Sequence, residues 1–183
     1  MTRQQELTTI SKFMSFVLRH QPQSIGLTLD AAGWADVAEL LARAATAGRA
    51  ITRDQLDEVV ATNDKRRFAL SDDGLRIRAN QGHSVDVELG LEPLAPPPAL
   101  FHGTATRFKA SILRTGLDRR SRHHVHLTED LAIGRAVGSR YGVPVILRID
   151  AAAMAAAGQV FFRSDNAVWL VDSVPARFIE VMA

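Results

Sequence analysis

Three consecutive prolines, Pro96 to Pro98, with Pro93 just ahead of them, constrain this chain more than any other feature. Proline lacks the amide hydrogen that helices and ladders use and fixes its own φ, so Glu92–Pro98 can neither extend a helix nor serve a central strand. The segment predicts a stiff, extended linker over residues 92–98, dividing the 183 residues into an N-terminal lobe, 1–91, and a C-terminal lobe, 99–183. Hydrophobic residues make up 46% of the chain, enough for a packed core, which excludes a disordered tail. No internal repeat relates the two halves.

The N-terminal half reads as three helices and a hairpin. Ile10, Phe13, Met14, Val17 and Leu18 follow the spacing of one buried helix face, and Pro22 predicts a stop near His20. Val37, Leu40, Leu41, Ala44 and Ala45 repeat the pattern, and Gly48 ends it. Thr52 and Gln55 form a capping box for a third helix, with Ile51 placed to staple onto Leu56. Arg67–Leu70 and Leu75–Arg78 then alternate with period two around an Asp73-Gly74 turn, the signature of a hairpin. Three helices followed by a hairpin is the order of a winged-helix lobe, an order shared by nucleic-acid and protein binders alike.

After the linker, strands dominate. Ala99–Gly103, His124–Leu127, Val143–Ile149, Val160–Arg163, Val168–Val171 and Phe178–Met182 read as strands. Helices are expected near Phe108–Thr115, Asp130–Tyr141 and Ala151–Ala157. The fold class is therefore α+β rather than alternating βαβ units. Neither a Rossmann glycine fingerprint nor a P-loop occurs, which excludes both of those nucleotide sites.

With no cysteine, there is no disulfide framework, thiolate nucleophile or cysteine-ligated zinc. No apolar run reaches the roughly 20 residues of a membrane span, and the polar N-terminus lacks a secretory h-region; a cytoplasmic protein, monomeric and with no membrane partner, is expected. The basic residues are 19 Arg and only 3 Lys (Lys12, Lys65 and Lys109). Residues 1–98 carry 11 basic and 13 acidic side chains, and residues 99–183 carry 11 and 7. Arginine presents a planar fork that matches phosphate, although only arginines in special positions carry weight. Arg19 and His20 close the first helix, where the helix dipole favours cations on structural grounds alone. Period two places Arg67, Arg76 and Arg78 on one hairpin face, either a solvated wing or an oxyanion clamp.

In the second half, Leu100-Phe101-His102-Gly103-Thr104 reads as a strand ending in a tight turn where glycine admits a ligand to the backbone. In Arg122-His123-His124-Val125-His126-Leu127, a strand would put Arg122, His124 and His126 on one face. No carboxylate stands at motif spacing from that His-x-His pair, so no metal site is expected. These features point to an anion site without naming a reaction.

At these residues the chain resembles the NAD-dependent RNA 2′-phosphotransferase family over roughly residues 7 to 182. The likeness runs through Leu18-Arg19-His20-Gln21-Pro22, Gly33-Trp34, Asp64-Lys65-Arg66-Arg67-Phe68 and Ile77-Arg78-Ala79-Asn80-Gln81-Gly82-His83-Ser84. It continues through Phe101-His102-Gly103-Thr104, Gly116-Leu117, Arg122–Leu127 and Asn166-Ala167-Val168-Trp169-Leu170. The resemblance implies a winged-helix lobe, a C-terminal lobe of ADP-ribosyltransferase fold, and an active site in the cleft between them. It implies transfer of an internal RNA 2′-phosphate to NAD in two steps, yielding 2′-hydroxyl RNA, nicotinamide and ADP-ribose 1″,2″-cyclic phosphate. The family's catalytic set maps onto Arg19, His20, Arg67 and Arg122, with Arg67 preferred to Arg66 by the Lys-x-Arg-Phe pattern. His102, Gly103, Thr104, Thr128 and Asp130 would cradle NAD, the implied co-substrate; the partner is RNA bearing a 2′-phosphate. Phe101 and Thr128 stand where the family often has Tyr and Ser, keeping the ring and the hydroxyl.

Two other functions fit parts of the same pattern. An ADP-ribosyltransferase acting on terminal phosphates of RNA or DNA, or on protein, would keep the fold and leave ADP-ribose on its acceptor. A nucleic-acid-binding regulator built on the winged helix would need no NAD site, and its lobe carries a net −2 charge that disfavours generic duplex binding.

Overall fold

A computed structural model describes residues 2–63 and 65–182, so Asp64 of the Asp64–Phe68 block lies outside the described residues. The chain is a mixed α/β protein with small antiparallel sheets, in two compact units, Met1–Gly90 and Leu91–Ala183.

The first unit opens with α1 (Arg3–Arg19). A capping box starts it: Thr2 accepts from Gln5 N, and Gln5 Oε1 accepts from Thr2 N at 2.9 Å. Ile10, Met14, Val17 and Leu18 are buried with Leu7, and Phe13 packs half-buried against the same core. The helix ends at Arg19 with His20 as its cap, and Pro22 begins a short 3-10 turn, Pro22–Ile25. Next come β1 (Ala35–Asp36) and α2 (Val37–Thr46), the latter capped by Asp36 Oδ1 accepting from Glu39 N at 2.8 Å. Gly48 follows with φ +74°, the left-handed stop its position predicts. The Thr52–Gln55 capping box is present at the head of α3 (Arg53–Ala61), and Ile51 and Leu56 share one core.

β2 (Phe68–Leu70) and β3 (Arg76–Ala79) pair antiparallel, Phe68 opposite Ala79 and Leu70 opposite Ile77. Their sheet runs β1-β3-β2. The expected second hairpin run, Leu75–Arg78, starts one residue later. Asp73 Oδ1 accepts from Leu75 N at 2.9 Å, holding Leu75 in the turn with 59% of its surface exposed. The register leaves the three hairpin arginines on the face opposite Phe68 and Ile77, but their guanidiniums go to different neighbours. Arg76 and Arg78 lie over the Trp34 ring, 5.4 and 4.7 Å from its centroid, whereas Arg67 turns toward α1.

In the second unit, Leu94 N donates to Phe161 O at 2.8 Å within the proline-rich segment. Then follow β4 (Ala99–Ala105), α4 (Thr106–Thr115), β5 (Leu117–Asp118), β6 (Val125–Leu127) and α5 (Leu131–Gly138). After them come β7 (Pro144–Asp150), α6 (Ala151–Ala156), β8 (Phe161–Arg163), β9 (Trp169–Val171), β10 (Ser173–Val174) and β11 (Ile179–Val181). Three antiparallel sheets result, ordered β11-β7-β4, β6-β9-β8 and β10-β5. Leu100, Leu147, Ile149, Phe161 and Val171 anchor their shared core. Each such burial contributes about 1.5–3 kcal/mol.

The strand predicted over Ala99–Gly103 does not end in a tight turn; β4 runs straight through Gly103 and Thr104 to Ala105. Glycine is required there because α5 lies against the strand: a Cβ on Gly103 would collide with Gly134 O. Likewise a Cβ on Gly138 would stand 2.5 Å from Thr104 O. The absent side chain admits a helix, not a ligand. The predicted histidine strand also starts one residue late, since Arg122–His124 belong to the preceding turn. His124 nonetheless meets β8, its ring edge-on to Phe162 at 5.6 Å.

Candidate functional site

The last turn of α1, the end of α3 and the start of β2 enclose a groove of about 520 Å³ in the first unit. Lys12, Arg19, His20, Lys65 and Arg67 line it, and among the described residues none that lines it is acidic. This segregation matters because the unit as a whole is slightly acidic. Several of its carboxylates are used elsewhere: Glu6 and Glu58 bind Arg3, Asp57 binds Arg53, and Asp36 caps α2. A groove lined by one sign of charge focuses field and concentrates anions.

Local chemistry holds each cation. Asn63 is the hub, its Oδ1 accepting from Arg67 Nη1 at 3.3 Å and from Lys65 N at 3.1 Å. Its Nδ2 donates to the Ser11 hydroxyl of α1 at 3.1 Å. Arg66 sits at φ +41°, a left-handed conformation that costs a non-glycine residue about 1–2 kcal/mol. Asn80 restrains it, donating from Nδ2 to Arg66 O at 2.7 Å and from its backbone N to Arg67 O at 2.9 Å. That twist sends Arg67, and not Arg66, into the groove. Arg19 Nη2 donates to Arg67 O at 3.4 Å. The strap after β3 closes on the helix end: Ser84 N donates to Arg19 O at 2.9 Å, and Ser84 Oγ meets His20 Nδ1 at 2.9 Å.

The second unit assembles another set. The antiparallel bridge between Phe101 and Thr128 (N···O 2.8 and 2.9 Å) joins β4 to the end of β6. It sets Thr128 next to His102. His102 Nδ1 donates to His126 O at 3.0 Å, and the His126 ring stands 3.2 Å from Arg122 Nη1. Burial lowers the His102 pKa from its usual value; the His126 carbonyl opposes this, and the Arg122 charge adds to it. His102 is thus a neutral imidazole near pH 7, its Nδ1 proton fixed by a carbonyl and its Nε2 an acceptor. Thr128 Oγ1 accepts from Asp130 N at 3.1 Å, which leaves its proton to donate. Asp130 caps α5, accepting from Ala132 N at 2.7 Å and Ile133 N at 3.3 Å. Thr104 is buried. Among the described residues no three His, Asp or Glu side chains gather as a metal-holding group.

The structure thus brings Arg19, His20 and Arg67 together in one unit, and Arg122, His102 and Thr128 together in the other. Asn63 and Asn80 had no legible signal as supports, because their roles depend on carbonyls and hydroxyls brought up by tertiary packing. Lys12 was visible only as one of three lysines in an arginine-rich chain.

The chain is thus a mixed α/β protein whose first unit carries a groove lined by Lys12, Arg19, His20, Lys65 and Arg67, a side-chain set suited to an anion. The chain belongs to the RNA 2'-phosphotransferase, Tpt1/KptA family, whose family model matches residues 5–173. It is the family that the arginine-histidine blocks resemble. A "Probable RNA 2'-phosphotransferase" of Hahella chejuensis is 55% identical over 177 residues, 97% of this chain and 95% of that protein. Proteins of the same name from Agrobacterium fabrum and Pseudomonas aeruginosa are each 56% identical, over 176 and 174 residues. Those alignments cover 96% and 94% of this chain, and 95% and 96% of the two relatives. No helix among the described residues is long and apolar enough to cross a membrane.

Proposed function

We propose that this protein is an NAD-dependent RNA 2′-phosphotransferase that moves an internal 2′-phosphate from RNA onto NAD. The products are 2′-hydroxyl RNA, nicotinamide and ADP-ribose 1″,2″-cyclic phosphate. The observation that carries the reading is the groove that brings Arg19, His20 and Arg67 together in a chain of this family. In this reading the first unit is a winged-helix lobe, supported by its α-β-α-α-β-β order and β1-β3-β2 sheet. The second is an ADP-ribosyltransferase-like lobe that takes NAD.

The residues fit the co-substrate. His102, with Nδ1 locked on His126 O, offers Nε2 as acceptor for a ribose hydroxyl, and Thr128 offers a donor. Gly103, Thr104 and Asp130 complete the NAD cradle as its framework, by packing and capping α5. NAD supplies the anomeric carbon that accepts the phosphate. A phosphate oxygen of the RNA first displaces nicotinamide there; the 2″-hydroxyl then attacks phosphorus, and the RNA 2′-oxygen departs with a proton. In the first unit Arg19 and Arg67 hold the phosphate dianion and offset the charge that builds at phosphorus, positioning and electrostatic work that guanidinium forks suit. Arg122 of the second unit takes its role in the second step from the family pattern. His20, steadied by Ser84, binds the phosphate or passes a proton to the departing oxygen.

The test is an RNA with one internal 2′-phosphate incubated with the full chain and NAD, products read by mass spectrometry. Loss of the 2′-phosphate with release of the cyclic ADP-ribose phosphate is expected. ADP-ribose retained as the final product would instead define an ADP-ribosyltransferase, and no NAD-dependent change would end the proposal. Arg122→Ala should slow the second step most, so that ADP-ribosylated RNA accumulates. Equal progress through both steps in that variant would remove Arg122 from the set.

A further inference from the structure

The groove does not stop at Arg19, His20 and Arg67. It continues along α1 past Phe16, Ser15, Lys12 and Thr8, positions three and four apart that share one helix face. Lys12 lies seven residues before Arg19, about 10 Å along the helix axis, so the groove is longer than a single phosphate requires. Lys65, from the turn after α3, lines the same groove, and both lysines are exposed. Two of the chain's three lysines are therefore gathered in one groove of an otherwise arginine-rich protein.

The same groove holds an aromatic ring. Phe16 lines the groove with 43% of its surface exposed, while the other large apolar residues of α1, from Leu7 to Leu18, pack into the core. Among the described residues no ring or cation lies on Phe16, in contrast to Phe13, which is covered by Arg49. A bare ring flanked by cations is the chemistry of a single-stranded nucleic-acid channel, where bases stack on the aromatic face and phosphates meet the charges. Duplex RNA would keep its bases stacked on each other and leave the ring unused. The cation types divide accordingly: arginine forks suit a phosphate dianion held in one orientation, and the point charges of lysine suit a phosphodiester that adopts several.

We propose that this stretch is a subsite for the nucleotide adjoining the 2′-phosphorylated one, in single-stranded RNA. Phe16 stacks its base, and Lys12 and Lys65 hold its phosphodiester. The assignment rests on the 2′-phosphotransferase reading for what lies at Arg19, His20 and Arg67, and adds what lies beside it.

The experiment is equilibrium binding to the full chain without NAD, using three probes. They are adenosine 2′-monophosphate, a pentaribonucleotide with one internal 2′-phosphate, and the same pentamer without it. The 2′-phosphorylated pentamer should bind at least about fivefold tighter than the mononucleotide, as one stacked base provides. Phe16→Ala should erase most of that gap, and Phe16→Tyr should keep it. Substituting Lys12→Gln and Lys65→Gln together should shrink the gap and lower the salt slope by roughly 0.7, one phosphate contact on a single strand. Lys109→Gln, in the second unit, should change neither. A pentamer that binds no tighter than the mononucleotide overturns the subsite, as does a gap that survives both Phe16→Ala and the double lysine change. If the two pentamers bind alike while Phe16→Ala still weakens both, the subsite stands and the 2′-phosphotransferase reading falls.

Discussion

Asn80 is buried, and it decides where a guanidinium points. Its amide and backbone nitrogens hold the carbonyls of Arg66 and Arg67, keeping Arg66 in a backbone region it would otherwise leave. Asn80→Ala removes the side-chain bond, orphans the Arg66 carbonyl and frees the turn that aims Arg67. The expected loss is about 1–3 kcal/mol of stability. Turnover of 2′-phosphorylated RNA should fall further than that loss explains, because Arg67 no longer sits in register. Asn80→Asp keeps the shape but loses the donor, so it should share the turnover defect. Chemical denaturation together with kcat and KM for each variant checks this, and an Asn80→Asp protein with wild-type kcat would return Asn80 to a purely structural role. The same reasoning shows what could be read in advance at this scale. Arg19, His20 and Arg67 were legible as site residues in a family pattern; Asn80 stood in that pattern without a role and Asn63 outside it, since asparagine at a turn is ordinary for local reasons alone.

At the scale of elements, the glycines of β4 and α5 carry the lesson. Gly103 looked like a ligand-facing turn because glycine next to a histidine in a strand so often is. The structure spends its missing Cβ on a helix instead, with Gly138 repeating the close approach from the other side against Thr104 O. Gly103→Ala must therefore force β4 and α5 apart, and overpacking of backbone against backbone should cost about 3 kcal/mol or more. Gly48→Ala is the contrast, since nothing lies within 4 Å of its added methyl and only its φ of +74° resists. That change should cost about 1–2 kcal/mol. Urea midpoints of the two variants compare them, and near-equal losses would refute the packing account. Elements with long periods were legible for the same physical reason that they are stable: α1, α2 and α3 each bury a repeating stripe, and local caps mark their ends. β1, β5 and β10 have two residues each, too short for any period, and exist only because a partner strand arrives from elsewhere in the chain.

At the scale of the whole molecule, family membership was carried by dispersed blocks that no single element explains, and acid sensitivity is likewise a property summed over sites. Two histidines of the second unit have lowered pKa values. His102 is lowered first by burial; His124 is lowered first by burial and then by His123, with Asp172 opposing. Both start from 6.5 in the unfolded chain. Between their folded values and 6.5 the unfolded chain binds more protons than the native one, so stability rises with pH through that window and levels off above it. Acidification below about 6.5 should therefore weaken the protein before its carboxylates titrate. Asp73, held below its usual value of 3.8 chiefly by the Ser71 hydroxyl, loses its contribution only at more acidic pH. Urea midpoints at pH 7.5, 6.0 and 5.0 should fall in that order, and the double substitution His102→Gln and His124→Gln should flatten the fall while leaving the fold intact at pH 7.5. Should the double variant lose stability as steeply as the wild type, these two imidazoles are not the groups that acid must charge.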